Sequence, residues 1–227
     1  MPVAILTGAS KGLGRVLARS LADRGWSLVI DARDPAALGA AAADLPGAVA
    51  IPGDVADPGH RAELIAAAER LGGIDLLVNN ASTLGASPLP RLDALPLDTY
   101  RRTLEVNVVA TLALIQAALP LLRARSGRIV NITSDAAVEA YEGWGAYGST
   151  KAALEHVSRV LAVEHPEVRV LAVDPGDLRT EMHQDAFPGE DISDRPPPES
   201  AVPGLLALIE GDQPSGRYAA SAVVVAP

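Results

Sequence analysis

A short apolar run that leads into a glycine-rich turn constrains the fold more than any other feature of this chain. Residues 2–6 read PVAIL, which predicts a buried strand. The turn TGASKGLG follows at residues 7–14, and Leu13, Leu17 and Leu21 then mark one face of a helix. A strand, a glycine-rich turn and a helix in this order are the setting of a dinucleotide phosphate site at the helix N-terminus.

The three glycines of this turn have separate predicted roles. Gly8 suits a tight turn, Gly12 lets the backbone approach a pyrophosphate, and Gly14 lets the helix pack closely on the strand. The spacing is Gly-x-x-x-Gly-x-Gly rather than the commoner Gly-x-Gly-x-x-Gly. A plain glycine-rich turn between strand and helix is therefore the alternative interpretation.

The pattern of apolar and polar residues along the chain predicts seven strands that alternate with six helical stretches. Strands are expected near residues 2–7, 27–31, 48–52, 74–79, 127–132, 167–173 and 216–225, and helices near 12–24, 35–44, 58–71, 97–123, 144–164 and 199–210. This order predicts an α/β fold in one domain over 1–227, a doubly wound seven-stranded parallel sheet with helices on both faces. Pro120 predicts a kink or break in its helix.

Tyr147 and Lys151 lie four residues apart, which places them on one face of a helix. A phenol alone has a pKa of about 10, and a neighbouring ammonium lowers it by favouring the phenolate. Such a pair could transfer a proton to or from a substrate oxygen near neutral pH. On its own, the pattern also fits an ordinary solvated helix face.

Polar residues also follow predicted strands at the edge where ligands of doubly wound sheets bind. One strand ends in Asn79-Asn80-Ala81, and another ends at Ser134, 13 residues before Tyr147. Asn107 precedes Tyr147 by 40 residues.

Together these residues resemble the single-domain NAD(P)-dependent branch of the short-chain dehydrogenase/reductase family, a Rossmann-like fold. The matching pieces run in family order: residues 7–14, Asp54-Val55, Asn79-Asn80-Ala81, Asn107, Ser134, Tyr147, Lys151, Asp174-Pro175-Gly176 and Thr180. Two departures stand out. Ser82 replaces a usual glycine, and the C-terminal residues 219–227 lack the closing Asp-Gly-Gly that the family's common tetramer uses.

The resemblance implies a role for each matched residue. Tyr147 would be the acid-base group, Ser134 would hydrogen-bond the substrate oxygen, and Asn107 would hold a water that links Lys151 to solvent. Lys151 would lower the pKa of Tyr147 and hold the nicotinamide ribose. The implied cofactor-binding residues are Gly8, Ser10, Lys11, Gly12, Leu13, Gly14, Arg33, Asp54, Val55, Asn80, Ala81, Tyr147, Lys151, Pro175, Gly176 and Thr180. Asp54 and Val55 would contact the adenine, and Thr180 the nicotinamide carboxamide.

The residues after the second strand bear on the choice of cofactor. The family alignment places Ala32 where an NAD-selecting acid would lie and Arg33 next to it, and Lys11 adds a second cation. This favours NADP(H), because an arginine there accommodates a 2′-phosphate. If the strand ends one residue earlier, Asp31 faces the ribose and NAD(H) becomes the cofactor.

The substrate is expected to be a small carbonyl or alcohol compound. Trp144, His183 and Phe187 are candidates for its pocket, in part within a substrate-loop region at about 178–198. Each could instead only pack its own loop. Two other functions fit the scaffold: a dinucleotide-binding sensor without turnover, and a non-redox isomerase or dehydratase.

Composition excludes several other classes of function. A net charge of −9 and a pI of about 4.9 argue against a general nucleic-acid binder or a binder of anionic membranes. There are no cysteines, and the four histidines are scattered, so no metal site is expected. No leader and no membrane-spanning apolar run are evident, which favours a cytoplasmic enzyme. The resemblance adds a homodimer or homotetramer.

Overall fold

The computed structural model describes residues 1–223. Within these residues seven strands are formed: β1 Val3–Leu6, β2 Ser27–Ala32, β3 Val49–Pro52, β4 Leu76–Asn79, β5 Arg128–Ile132, β6 Arg169–Asp174 and β7 Gly216–Ala219. The same part of the chain forms eight α-helices: α1 Gly12–Ala22, α2 Pro35–Ala42, α3 Pro58–Arg70, α4 Leu97–Leu104, α5 Ala110–Ala124, α6 Gly145–Glu164, α7 Glu181–Ala186 and α8 Val202–Glu210.

The seven strands form one parallel sheet in the order β3-β2-β1-β4-β5-β6-β7. The predicted doubly wound, seven-stranded fold is therefore confirmed. The strand order reverses direction between β1 and β4, which leaves a crevice beyond their carboxyl ends.

Side chains of each strand alternate between two apolar cores, one on each face of the sheet. Along β1, Ala4 and Leu6 join the core beneath α1 and α8, whereas Val3 and Ile5 join the core beneath α3, α5 and α6. All four are fully or almost fully buried. Burial on both faces explains why the strand is a continuous apolar run instead of an alternating one.

Two predictions about single elements need correction. The helix predicted over 97–123 contains a π-helical turn at Glu105–Val109, and α5 continues as α-helix through Pro120 without a break. The last strand ends at Ala219 and a 3-10 turn follows at Ala220–Ala222. The remainder of the strand predicted over 216–225 lies outside the described residues.

The helical segment Leu97–Ala124 is long and apolar enough to span a membrane, judged by length and composition alone. For this segment, the expectation that no apolar stretch approaches that length is wrong. Its buried side chains include Leu114, Ile115 and Leu122, which belong to the core on one face of the sheet. Within the fold, one face of this segment packs on the core, and 39% of its most apolar part is buried.

Candidate active site

A groove of about 600 Å³ opens at the carboxyl ends of the strands. The glycine-rich turn, the ends of β2, β4, β5 and β6, and the helices α6 and α7 line it. The predicted site residues that line it are Gly8, Ser10, Lys11, Gly12, Leu13, Gly14, Arg33, Asp54, Val55, Asn80, Ala81, Ser134, Trp144, Tyr147, Lys151, Pro175, Gly176, Thr180, His183 and Phe187. Among the predicted residues, Asn107 alone does not reach the groove.

The glycine-rich turn needs its glycines for reasons that the structure makes explicit. Gly8 and Gly12 have φ angles of +69° and +54°, a region that L side chains rarely adopt. At Gly14 a Cβ atom would lie 2.2 Å from the Gly8 carbonyl oxygen. The turn is therefore a cradle that side chains would fill, and it ends at the N-terminus of α1, where N–H groups attract phosphate.

Asn80 and Thr7 fix the turn against the end of β4. The Asn80 Nδ2 group donates to the carbonyl oxygens of Thr7 at 2.9 Å and Gly8 at 3.1 Å. In return, the Thr7 Oγ1 atom accepts from the backbone N–H groups of Asn80 and Ala81, each at 3.0 Å. The amides at the end of β4 thus hold the neighbouring backbone in place, as ordinary asparagine turns do on a smaller scale.

The acids around Arg33 are committed to contacts inside the protein. Asp31 is buried; its Oδ1 atom accepts from the Gly8 N–H at 2.7 Å and its Oδ2 atom pairs with His60 Nε2 at 3.0 Å. Asp34 caps α2 by accepting from two backbone N–H groups. Arg33 is exposed, and within residues 1–223 it forms no ion pair. β2 extends to Ala32, so the strand does not end early.

Lys11 and Asp54 each form an ion pair that the sequence did not predict. Lys11 Nζ pairs with Glu181 Oε1 on α7 at 2.7 Å, although both side chains are exposed. Asp54 pairs with Arg102 and accepts from the Ala56 N–H at 2.9 Å. Burial raises the pKa of the Asp54 carboxyl, but these two partners outweigh it and leave the pKa below its ordinary value.

Tyr147 and Lys151 are both buried on the face of α6 toward the groove. The Lys151 Nζ atom lies 5.3 Å from the centre of the Tyr147 ring and donates to the Ile132 carbonyl oxygen at 2.8 Å. Burial lowers the pKa of Lys151 to about 8. The expectation that Tyr147 has a lowered pKa is wrong: burial raises it, with a smaller contribution from Asp174, and the neighbouring Ser134 opposes the rise only in part.

Ser134 forms a compact hydrogen-bonded unit with Asp135 and Tyr141, and sequence reasoning passed over Asp135. Its Oγ donates to Asp135 Oδ1 at 2.9 Å and accepts from the Ala136 N–H at 3.2 Å. Tyr141 donates its hydroxyl to Asp135 Oδ2 at 2.9 Å. The place of Asp135 directly after Ser134 is the one signal in the sequence that could have identified it.

Asn107 lies in the π-helical turn and acts on the neighbouring loop. Its Oδ1 atom accepts from the Thr83 N–H at 2.9 Å, and its Nδ2 atom donates to the Thr83 carbonyl and to Thr150 Oγ1. It makes no direct contact with Lys151 among the hydrogen bonds of the described residues. The predicted link through a water remains a prediction.

The three predicted pocket residues come together as one aromatic wall beside Tyr147. The Trp144 ring packs edge-on against Tyr147 at 5.7 Å between ring centres and lies 5.9 Å from Phe187. The His183 ring lies 5.0 Å from Phe187. Met182 packs against the same cluster. The wall joins the start of α6 to the end of α7, which explains how Trp144 and Phe187, 43 positions apart, define one surface.

A cluster of ion pairs on β6, β7 and α6 lies behind this region and supports it. Arg217 on β7 pairs with Glu155 at 2.8 Å and with Asp174 at 3.3 Å. Glu155 also accepts from Thr133 Oγ1 at 2.8 Å, and Arg217 reaches the Ser134 carbonyl at 3.4 Å. Sequence reasoning missed the cluster, because the contact between β7 and α6 depends on the order of strands in the sheet.

Comparison with known proteins places the chain among relatives of one kind. Residues 2–191 match the family model described as short chain dehydrogenase. Mouse sepiapterin reductase is 35% identical over 199 residues, which cover 80% of this chain and 76% of that protein. An uncharacterized oxidoreductase of Saccharomyces cerevisiae is 37% identical over 117 residues, and this match spans 52% of the chain but only 45% of the yeast protein.

A solved structure agrees over almost the whole length. The alcohol dehydrogenase from the archaeon Thermococcus sibiricus, complexed with 5-hydroxy-NADP, superposes with a TM-score of 0.85 at 28% identity. The superposition covers 96% of this chain and 95% of the archaeal one.

Proposed function

The chain belongs to the short-chain dehydrogenase/reductase family of oxidoreductases, and we propose that it is an NADP(H)-dependent enzyme that transfers a hydride between the nicotinamide and a carbonyl or alcohol carbon. The observation that carries the proposal is the joint placement of Ser134, Tyr147 and Lys151 on one groove that also contains the glycine cradle. The cofactor supplies the hydride when it is bound.

The proposed work of the protein is to position the substrate oxygen and to manage one proton. In the reductive direction, Tyr147 gives its proton to the oxygen as negative charge develops there, and Ser134 stabilises that charge by a hydrogen bond. The raised pKa of Tyr147 suits this role, because the phenol is protonated at neutral pH. Lys151 is the nearest cation and would stabilise the phenolate left behind.

The groups around Arg33 favour NADP(H) over NAD(H). A carboxylate that accepts from the ribose 2′-OH selects NAD, whereas an arginine accommodates the 2′-phosphate. Asp31 has both of its oxygens engaged by Gly8 and His60, and Asp34 caps α2. Arg33 is exposed and has no ion-pair partner within residues 1–223, so its planar guanidinium can bind a phosphate as a bidentate donor. The complex of the archaeal relative with an NADP derivative is consistent with this choice.

A coupled pair of measurements tests the proposal. Purified protein is incubated with NADPH or NADH and a panel of aldehydes and ketones, and loss of reduced-cofactor absorbance is followed. We expect turnover that is faster with NADPH. Tight NADPH binding without turnover of any aldehyde or ketone in the panel would instead support a dinucleotide-binding sensor. Turnover that prefers NADH would overturn the assignment of Arg33.

A further inference from the structure

We propose that the substrate end of the groove admits neutral or cationic carbonyl compounds with an aromatic-sized apolar group and discriminates against anionic ones. The inference rests on the proposed function and narrows its substrate class. It depends on how charge and apolar surface are divided along the groove.

Acidic groups surround the reacting position. Asp135 follows Ser134 directly and shares a hydrogen bond with it, and Asp174 and Asp177 line the same end. Burial is the main cause of the raised pKa of Tyr147, and the charges of Asp174 and Asp135 add smaller contributions in the same direction. The partner of Asp174 is Arg217, which is also paired with Glu155 and does not line the groove.

The positively charged side chains of the groove either have a partner within the protein or lie away from the substrate end. Of the residues that line it in the described chain, only Lys11, Arg33 and Lys151 carry a full positive charge. Arg33 acts on Asp54, which places it at the end proposed for the adenosine. Lys11 is paired with Glu181, and Lys151 is buried and donates to the Ile132 carbonyl. A substrate carboxylate would therefore meet aspartates without a free cation to offset the repulsion.

Asp135 is held in a defined position rather than on a mobile surface side chain. It accepts from Ser134, from the Ala136 N–H and from the Tyr141 hydroxyl. The hydrogen bond to Asp135 raises the pKa of Tyr141, so the phenol remains a donor and adds no charge of its own. The carboxylate is consequently a fixed negative charge at the edge of the pocket.

The aromatic wall gives this end of the groove an apolar surface. Trp144, Met182 and Phe187 pack beside Tyr147 as the aromatic wall. Such a surface favours flat apolar groups of similar size. The Nε2 atom of His183 is buried in this wall and has no hydrogen-bond partner among residues 1–223. It is available to a neutral polar atom of a bound substrate.

The test uses three benzaldehydes whose para charge lies beyond a methylene group, which weakens its electronic effect on the carbonyl: methyl (4-formylphenyl)acetate, (4-formylphenyl)acetate and (4-formylbenzyl)trimethylammonium. We expect kcat/KM for the anion to lie about tenfold or more below that of the neutral ester, as expected for one charge a few ångströms from another at a protein surface. The cation should equal or exceed the ester. Added salt should narrow the gap between anion and ester. Equal or better use of the anion would overturn the inference.

Asp135→Asn identifies the charge responsible. Because Asp135 contacts Ser134, its removal alters activity toward every substrate, so the informative quantity is the ratio of anion to ester within each variant. We expect that ratio to rise several-fold in Asp135→Asn and to stay unchanged in Asp23→Asn, which removes an exposed acid outside the groove. An equal ratio in both variants would contradict the role of Asp135.

A binding measurement separates this inference from the proposed function. If neither these aldehydes nor any compound of the carbonyl panel is reduced, the proposed function fails on that result. The charge preference is then decided by quenching of Trp144 fluorescence in a Trp26→Phe background, with methyl benzoate, benzoate and phenyltrimethylammonium as probes. Stronger binding of the ester and the ammonium than of benzoate supports the inference, and stronger binding of benzoate contradicts it.

Discussion

The two halves of the groove are built in different ways. In the half proposed for the cofactor, backbone forms the surface: positive-φ glycines, the start of α1, and main-chain groups held by Asn80 and Thr7. In the half proposed for the substrate, side chains form it, from Asp135 and Trp144 to Phe187, which directly follows the short helix α7. The first half thus depends on the sheet and its turns, whereas the second can change by replacement of single side chains.

The two halves also differ in charge. The exposed guanidinium of Arg33 lies in the cofactor half, while Asp135, Asp174 and Asp177 surround the substrate half. Tyr147 and Lys151 lie where the halves meet. Substitutions on either side and at the junction should therefore separate cofactor binding, proton transfer and substrate selection.

Replacement of Tyr147 by phenylalanine should have the largest effect. The ring that packs on Trp144 is retained and only the transferable proton is lost, so NADPH affinity should stay within a few-fold. Turnover should fall by about 10²–10⁴-fold, the usual contribution of a proton-transfer group. The control is Tyr218→Phe, which removes a hydroxyl bonded to the Pro214 carbonyl outside the groove. More than about a tenth of wild-type activity in Tyr147→Phe would exclude the acid-base role.

Burial of Lys151, at the junction of the two halves, should make the free energy of unfolding depend on pH. Its folded pKa of about 8 lies below the ordinary 10.5, so between these values the unfolded chain holds more protons and stability rises with pH. The penalty for the buried ammonium is fully present below pH 8. Lys151→Met removes it, and its stability relative to wild type should decline by an amount on the order of 3 kcal/mol between pH 7 and 10.5.

Denaturant unfolding at several pH values measures that difference. Lys11→Met, at an exposed ion pair, should give a difference that is almost flat with pH. A flat difference for Lys151→Met as well would show that the ammonium is not destabilised by burial.

Arg33→Ala probes the cofactor half alone. Loss of a charge-assisted contact to the 2′-phosphate costs about 1.5–3 kcal/mol, so the KM for NADPH should rise by a factor of ten or more while that for NADH changes little. Arg24→Ala, which breaks an exposed pair with Glu210, is the matched control. A parallel rise for both cofactors would show that Arg33 does not distinguish them.

Arg217 tests whether the substrate half depends on its support from behind. Arg217→Met leaves Glu155 buried without its cation, which should cost about 1–3 kcal/mol of unfolding free energy, less than a fully buried pair because Arg217 is partly exposed. Since Arg217 also reaches the Ser134 carbonyl, kcat should fall several-fold. When Glu155→Gln is added to Arg217→Met, the double variant should be more stable than Arg217→Met alone, but its kcat should not recover. Recovery of both would assign the cluster a purely structural role.

The sequence predicted the backbone-built half better than the side-chain-built half. Gly8, Gly14 and Asn80 predict a turn whose backbone conformation few other sequences can adopt, and apolar runs predicted the strands around it. The raised pKa of Tyr147 was missed because the spacing to Lys151 shows a neighbour but not the depth of burial.

Contacts made across the sheet were also beyond the sequence. The pairing of Arg217 with Glu155 joins residues 62 positions apart and follows only from the place of β7 beside β6. The π-helical turn around Asn107 has no distinct periodicity, so the pattern predicted one plain helix. By contrast, Trp144 and Phe187 were expected near the pocket and do meet there.

The direct test of the central claim is to follow the hydride itself. The protein is incubated with NADPH that carries deuterium on the transferable C4 position and with methyl 4-formylbenzoate, and the alcohol product is analysed by mass spectrometry. We predict one deuterium on the carbinol carbon, formed by wild type and Tyr218→Phe and almost absent with Tyr147→Phe. An alcohol without deuterium, or labelled alcohol formed equally well by Tyr147→Phe, would contradict the account.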